Sequence, residues 1–339
     1  MIHKRTLGFW EQHVAYPLEQ HVIQRLWNHY YPGITNGIIL NITYNFDDNM
    51  QWLHEVLRNH SVDAILFTSL VDAVSEPAHK VLCELIGNTD IPIKLAGYCQ
   101  YYFPEYDYVD FWALFMEQYF QSYTDQQLLP TNFEHIFLSY NRKPHDHRVY
   151  LYESIHGNAQ HCVDVSRHGL ITLGNTADSV HQYGVVSFDD NITGIKQDEN
   201  LGDDCYGIKG TATALGNMNV WRSSFLQVVA ETTAYPYQIP FVTEKAYKAI
   251  LGLRPFVVYG DVGYSDYLHS NGFKTFNLRL GMGNIFSVDS LNCAIQQLAE
   301  CDLDELYTEW LSDIMHNREN FYKHCAKIKQ KFGITPIDK

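Results

Sequence analysis

The residues best placed to do chemistry gather around Lys245, a cation in the first turn of a short predicted helix. Thr243 is a good N-cap, and Ala246, Tyr247, Ile250 and Leu251 form one apolar stripe that stops at Gly252, so the helix is expected to start at Glu244. The free N–H groups and aligned peptide dipoles make that end positive, so a cation there costs a few tenths of a kcal/mol to about 1 unless an anion shares the site. A bound phosphate is such an anion. Upstream, Phe225–Ala230 reads as a buried strand with Glu231 leaving its carboxyl end, and downstream Arg254-Pro255 leads into a second strand, Phe256–Tyr259, closed by Gly260. Ligands of parallel α/β sheets gather at the carboxyl ends of the strands, which places Glu231, Glu244 and Lys245 at one crevice.

A second group of cations follows the same logic. His135–Tyr140 reads as a strand, and Pro144 opens a helix with Val149, Tyr152 and Ile155 on its apolar face and Gly157 as its stop. Between strand and helix lie Arg142 and Lys143, with Arg148 one turn further on. The chain has only 24 Lys plus Arg, so two such clusters after two strands point to a polyanionic ligand such as a nucleotide diphosphate.

The order Glu231-Thr232-Thr233, Phe241-Val242-Thr243-Glu244-Lys245 and Arg254-Pro255-Phe256-Val257-Val258-Tyr259-Gly260 resembles the donor-binding segment of GT-B glycosyltransferases. The closest likeness is to the fucosyltransferase and exostosin-like groups and to glycosyltransferase-like proteins of bacteria and phages, in which a Glu-Asn-Ser, a Thr-Glu-Lys and a Pro-Val-Val recur in that order. Here Thr232-Thr233 stands in place of Asn-Ser, and Arg254-Pro255-Phe256 in place of a small-residue turn, which leaves the donor sugar open. A weaker likeness runs from Phe137 to Arg148, where Asn141-Arg142-Lys143-Pro144 is similar to the segment that opens the C-terminal domain of those proteins. The resemblance implies an α/β, GT-B-like fold of two Rossmann-like domains with parallel sheets facing a cleft. It also implies that Arg142, Lys143, Arg148, Glu231, Thr243, Glu244 and Lys245 bind a nucleotide-sugar donor, the glutamates accepting hydrogen bonds from ribose or sugar hydroxyls. Lys248, one turn on, is expected to face solvent.

Composition bounds the alternatives. The 339 residues suffice for two domains, and 46% apolar with 19% charged residues marks a globular chain. A net charge of −15 opposes nonspecific binding to a nucleic acid backbone without excluding a local basic groove. The 24 tyrosines suit stacking on bases and sugar rings, although most are expected to be core and surface filler. The 7 cysteines are scattered, with no C-x-x-C pair, and read as reduced structural thiols. No signal peptide and no apolar run of ~20 residues is seen, so no membrane partner is expected and the placement is cytoplasmic, in the host if the chain is viral.

Along the chain, strands are expected at 37–42, 63–68 and 91–96, alternating with helices at 50–57 and 77–86, followed by an aromatic-rich helix at 110–120 and a polar linker at 121–132. Residues 178–218, rich in Gly, Asp and Asn, form a long excursion without assigned structure. Helices are expected at 288–299, 303–315 and 317–331. The division is an N-terminal acceptor-side domain at 1–125, a nucleotide-sugar-binding domain at 133–315, and a C-terminal helix, 316–339, packing back on the first.

Asp302-Leu303-Asp304 opens a helix and reads as capping rather than a metal site. Asp189-Asp190 and Asp203-Asp204 read as loop carboxylates, while His145 and His147 are expected to diverge on a first helical turn. No metal or other cofactor is therefore called for, and the leaving diphosphate falls to Arg142, Arg148, Lys245 and helix N-termini. If transfer inverts the anomeric centre, a general base is needed from loops after the N-terminal strands, where Asp72 and Asp47 are the candidates and Asp48 an N-cap. The acceptor is open: a glycan, a small molecule, or a hydroxylated base in phage DNA. A non-catalytic nucleotide-sugar or glycan-binding protein on the same scaffold is the alternative.

Overall fold

The computed structural model describes residues 1–5, 16–42, 46–74, 76–99, 105–120, 123–141, 145–157, 169–173, 213, 215–234, 240–283 and 286–335. Its first sheet has five strands, β1 (Ile2–Arg5), β2 (Gly37–Asn41), β3 (Ile65–Ala73), β4 (Ile93–Tyr98) and β5 (Tyr106–Tyr108), adjacent in that order. Every neighbouring pair is parallel. Successive strand residues point to opposite faces, and both faces are covered, which is why β2 is an unbroken apolar run up to Asn41. Helices α2 (Phe46–Asn59) and α3 (Glu76–Gly87) bury Leu53, Val56, Ala78 and Leu82 against Ile38, Leu40, Ile65 and Phe67. On the other face α1 (Tyr16–Tyr30) and α4 (Phe111–Tyr119) bury Val22, Leu26, Trp27, Phe111 and Phe115 with Ile39, Leu66 and Ala96.

The second sheet has four parallel strands in the order β7-β6-β8-β9: β6 (His135–Asn141), β7 (Gly169–Leu173), β8 (Ser224–Ala230) and β9 (Phe256–Tyr259). Around it lie α5 (Asp125–Leu128), α6 (Asp146–Gly157), α7 (Met218–Ser223), α8 (Glu244–Leu251), α9 (Tyr264–Ser270), α10 (Val288–Ala299) and α11 (Leu303–Phe332). Among the described residues no strand is common to the two sheets.

Apolar packing nonetheless runs from one sheet's layer into the other, because α4, α8 and α11 meet and share one core cluster. At its centre is Asp110, a buried carboxylate that caps α4 through the Ala113 N–H at 3.0 Å. It also accepts from Tyr98 at 3.2 Å, from Tyr267 of α9 at 2.8 Å, from Tyr247 of α8, and pairs with His324 of α11 at 3.0 Å. Burial works to raise the Asp110 pKa, but the His324 and tyrosine donors outweigh it and hold it below the usual carboxylate value. Ion pairs Lys329–Glu117 (2.6 Å) and Lys331–Asp107 (2.8 Å) fasten α11 to the N-terminal layer.

Several elements differ from the sequence expectation. β3 continues through Asp72 to Ala73, with a register shift between Ser69 and Ala73, so Asp72 belongs to the strand and not to a loop after it. The neighbouring strand allows this through Gly97, at φ 133°, where a Cβ would lie 2.2 Å from the Ser69 carbonyl oxygen. Asp47 and Asp48 fall inside α2, which starts at Phe46, so Asp48 is not its N-cap. The expected linker contains α5, closed by a Thr124–Gln127 capping box. The helices expected at 303–315 and 317–331 are one, because Asn317 is buried and spends its carboxamide on the Lys274 main chain, at 2.7 and 2.8 Å, instead of breaking the helix. β1, α1 and β5 were not expected at all. Among the described residues no helix is long and apolar enough to cross a membrane.

Candidate anion site at the carboxyl end of the second sheet

β8 delivers Glu231 to the end of the sheet, and α8 starts opposite it. Thr243 caps α8 in extended backbone, its side chain accepting from the Lys245 N–H. The Glu231 carboxylate is fully buried. Oε1 accepts from Tyr264 Oη (2.6 Å) and Thr243 N (3.2 Å), while Oε2 accepts from Thr243 Oγ1 (2.5 Å) and Thr232 N (3.3 Å). A carboxylate offers about four lone-pair positions, so these are filled from within the protein. Glu231 was expected to receive ligand hydroxyls; here it holds the frame that aims Lys245.

Lys245 Nζ donates to Thr243 Oγ1 at 2.9 Å and Thr232 Oγ1 at 3.1 Å, lies 3.1 Å from Glu244 Oε1 and 3.8 Å from Glu231 Oε2, and keeps 22% of its side chain exposed. Burial works to raise the Glu244 pKa, but Lys245, Lys248 and its own helix-start N–H hold it below the usual value. From the other side α6 sends in two more donors. Arg148, buried, gives Nη2 (2.8 Å) and Nε (3.2 Å) to the Glu231 carbonyl, and His147 Nε2 reaches the same oxygen at 2.8 Å. A carbonyl only accepts, so Nε2 carries the proton. Burial, with Arg148 and Lys245 adding to it, lowers the His147 pKa. Burial also pulls Arg148 down to about 10, which leaves it charged at neutral pH.

Against the expectation that neighbours on a first helical turn diverge, the rings of His145 and His147 lie parallel, 6.0 Å apart, and His147 faces the site. Lys248 was expected to face solvent. It is half-buried beside Glu244 and Lys245, and burial lowers its pKa to about 8. Three cations, Arg148, Lys245 and Lys248, thus converge on Glu231 and Glu244, with Asp261 holding Thr233 and the Phe241 N–H at 2.9 Å and Asp146 beside His147, in a chain of net charge −15. At the neighbouring strand end Tyr259 and Phe286 stack at 4.7 Å and 12°, with His147 edge-on to Tyr259 at 5.5 Å. This half-buried aromatic pair is a flat surface beside the cations, signalled in the sequence only by the abundance of tyrosine.

Arg254, in the segment that replaces a small-residue turn, serves the scaffold. It is buried and donates to the carbonyls of Trp221 (3.0 Å), Ser224 (3.0 Å), Leu128 (3.0 Å) and Leu253 (2.8 Å). Asp302 caps α11, accepting from Asp304 N at 3.0 Å and Glu305 N at 3.1 Å, in line with the capping reading. Arg142, Lys143, Asp189-Asp190 and Asp203-Asp204 lie outside the described residues, as do the side chains of Asp47 and Asp72. A cavity of about 310 Å³ lined by Tyr31, Ile93, Lys94 and Glu105 sits at the amino end of β4, away from these groups.

The two sheets approach through their carboxyl ends: Tyr98, the last residue of β4, packs edge-on against Phe241, two residues before the α8 cap, at 4.7 Å. Fold and site together define an α/β protein with two parallel sheets and an anion-suited cluster where they meet. No family model and no curated protein matches the chain.

Proposed function

We propose that this chain is a metal-independent, GT-B-like glycosyltransferase that moves a sugar from a nucleotide-sugar donor, seated on the second sheet, to a hydroxyl acceptor across a cleft from it. The observation that carries this reading is the convergence of Arg148, Lys245 and Lys248 at the start of α8. The α8 N–H groups and the Lys245 and Arg148 charges suit a diphosphate, whose negative charge grows as the glycosidic C–O bond breaks. Tyr259 and Phe286 offer a stacking face for the base. The acceptor is a glycan, a small molecule or a hydroxylated base in phage DNA.

The test is titration with nucleoside diphosphates. Lys245→Ala is expected to weaken binding by roughly 1.5 to 3 kcal/mol, the range for hydrogen bonds to charged groups, or about 10- to 150-fold. Lys323, whose side chain is 68% exposed on α11, is the control, and Lys323→Ala should leave affinity unchanged. Lys248 cannot serve, because it lies in the cluster. Equal affinity in the Lys245 variant and the parent would remove the donor site from α8. Nucleoside diphosphate release from nucleotide sugars should persist in EDTA.

A further inference from the structure

The carboxyl end of the first sheet holds a second polar cluster, of different composition. Asn41 ends β2, and its Nδ2 donates to Glu19 Oε1 of α1 at 3.1 Å. Its carbonyl accepts from Asn49 Nδ2 of α2 at 2.9 Å, and Arg5, ending β1, donates to Asn49 Oδ1 at 3.0 Å. Asn41 is in register with Thr68 of β3, so the two side chains share the face that α1 covers. Thr68 is 0% exposed and its Oγ1 has no hydrogen-bond partner; Glu19 is 2% exposed, and its Oε2 has none among the described residues. One buried, unpartnered hydroxyl and one open carboxylate oxygen on adjacent elements, next to a β3 irregularity at Ser69, form a site suited to a group that can both donate and accept. An alcohol hydroxyl is such a group.

This cluster lies on the side of the sheet that meets the anion site. β4 touches Phe241 through Tyr98, and the end of β2 is two strand spacings, roughly 10 Å, from the end of β4. We propose that Glu19, Asn41 and Thr68 bind the acceptor hydroxyl and that Glu19 is the general base that deprotonates it, an inference that rests on the glycosyl-transfer reading. The acceptor O–H bond breaks with its proton passing to the Glu19 carboxylate, the oxygen bonds to the anomeric carbon, and the anomeric C–O bond breaks with its electron pair leaving on the diphosphate. The charge state suits the role. Burial, opposed only by the Asn41 hydrogen bond, pushes the Glu19 pKa up to about 7. The neighbouring cations are turned elsewhere: Arg5 to Asn49 and Trp52, Lys4 to Gln24, and Arg25 to Thr335.

The experiment is the rate of nucleoside diphosphate release, with water as acceptor, from whichever nucleotide sugar the parent hydrolyses. Glu19→Gln keeps the shape and the Asn41 hydrogen bond. It should lower kcat by about 100-fold or more, abolish the rise of rate through about pH 7, and leave nucleoside diphosphate affinity as in the parent. Parent-like kcat and pH profile in that variant would overturn the proposal. If the parent hydrolyses no nucleotide sugar, it is the glycosyl-transfer reading that fails. The site is then judged by the ¹³C carboxyl resonance of Glu19 during titration with methyl glucoside: a shift that Thr68→Val abolishes keeps the hydroxyl site, and an indifferent resonance overturns it.

Discussion

The two sheet ends that approach each other carry buried glutamates in opposite electrostatic settings. Glu231 is surrounded by Lys245, Tyr264, Thr243 and Thr232, with all its acceptor positions filled. Glu19 has one amide for a partner, and burial pushes its pKa up to about 7. The same side chain is thus a saturated hydrogen-bond acceptor in one place and a group poised to exchange a proton in the other. A saturated carboxylate positions cations for an anion, whereas an unsaturated one has capacity left for a ligand.

Three substitutions test that contrast. The largest effect is expected from Glu231→Ala, which leaves Tyr264, Thr243 and the facing cations without their acceptor and should destabilise the fold by about 3 to 5 kcal/mol. A loss under about 1 kcal/mol in urea unfolding would mean that Glu231 is not the frame of the site.

Glu19 should behave in the opposite sense. Its pKa in the folded chain is raised to about 7 from 4.5, so its favourable contribution is complete below the unfolded value and is lost as pH rises through about 7. Relative to the parent, Glu19→Gln should gain stability on going from pH 4 to pH 8, by roughly 3 kcal/mol at most. A difference that stays flat with pH would show that Glu19 ionises normally. The smallest effect is expected at Thr68: Thr68→Val removes an orphaned buried hydroxyl at constant shape and should stabilise by about 1 kcal/mol in thermal or urea unfolding. Destabilisation there would show that the hydroxyl has a partner in solution.

Much of the second sheet was legible because its signals are local. A cap at Thr243, an apolar stripe, a stop at Gly252 and the flanking apolar runs lie within a few turns of one another, and the structure has β8, α8 and β9 in those places. The helical stripe of α1, Leu18, Val22, Ile23, Leu26 and Trp27, is equally periodic and was readable in principle. The special character of Glu19 within it was not, since nothing near position 19 indicates that Asn41 reaches its carboxyl or that the chain buries it. Asp47 and Asp72 drew attention as carboxylates after strands, yet the length of β3 depends on Gly97 of the neighbouring strand letting the chains approach.

Local pattern sets which segments bury one face or two, where they are capped, and that a lysine stands at a positive helix end. These follow from side-chain spacing and backbone preference over a few residues. The tertiary structure alone decided which charges are spent and which are available. Glu231 is filled by Tyr264 from 33 positions away, and Asp110 collects Tyr247 and His324 from 137 and 214 positions away. Protonation and hydrogen-bonding capacity depend on desolvation and on partners brought from distant parts of the chain, and those are properties of packing rather than of any local pattern.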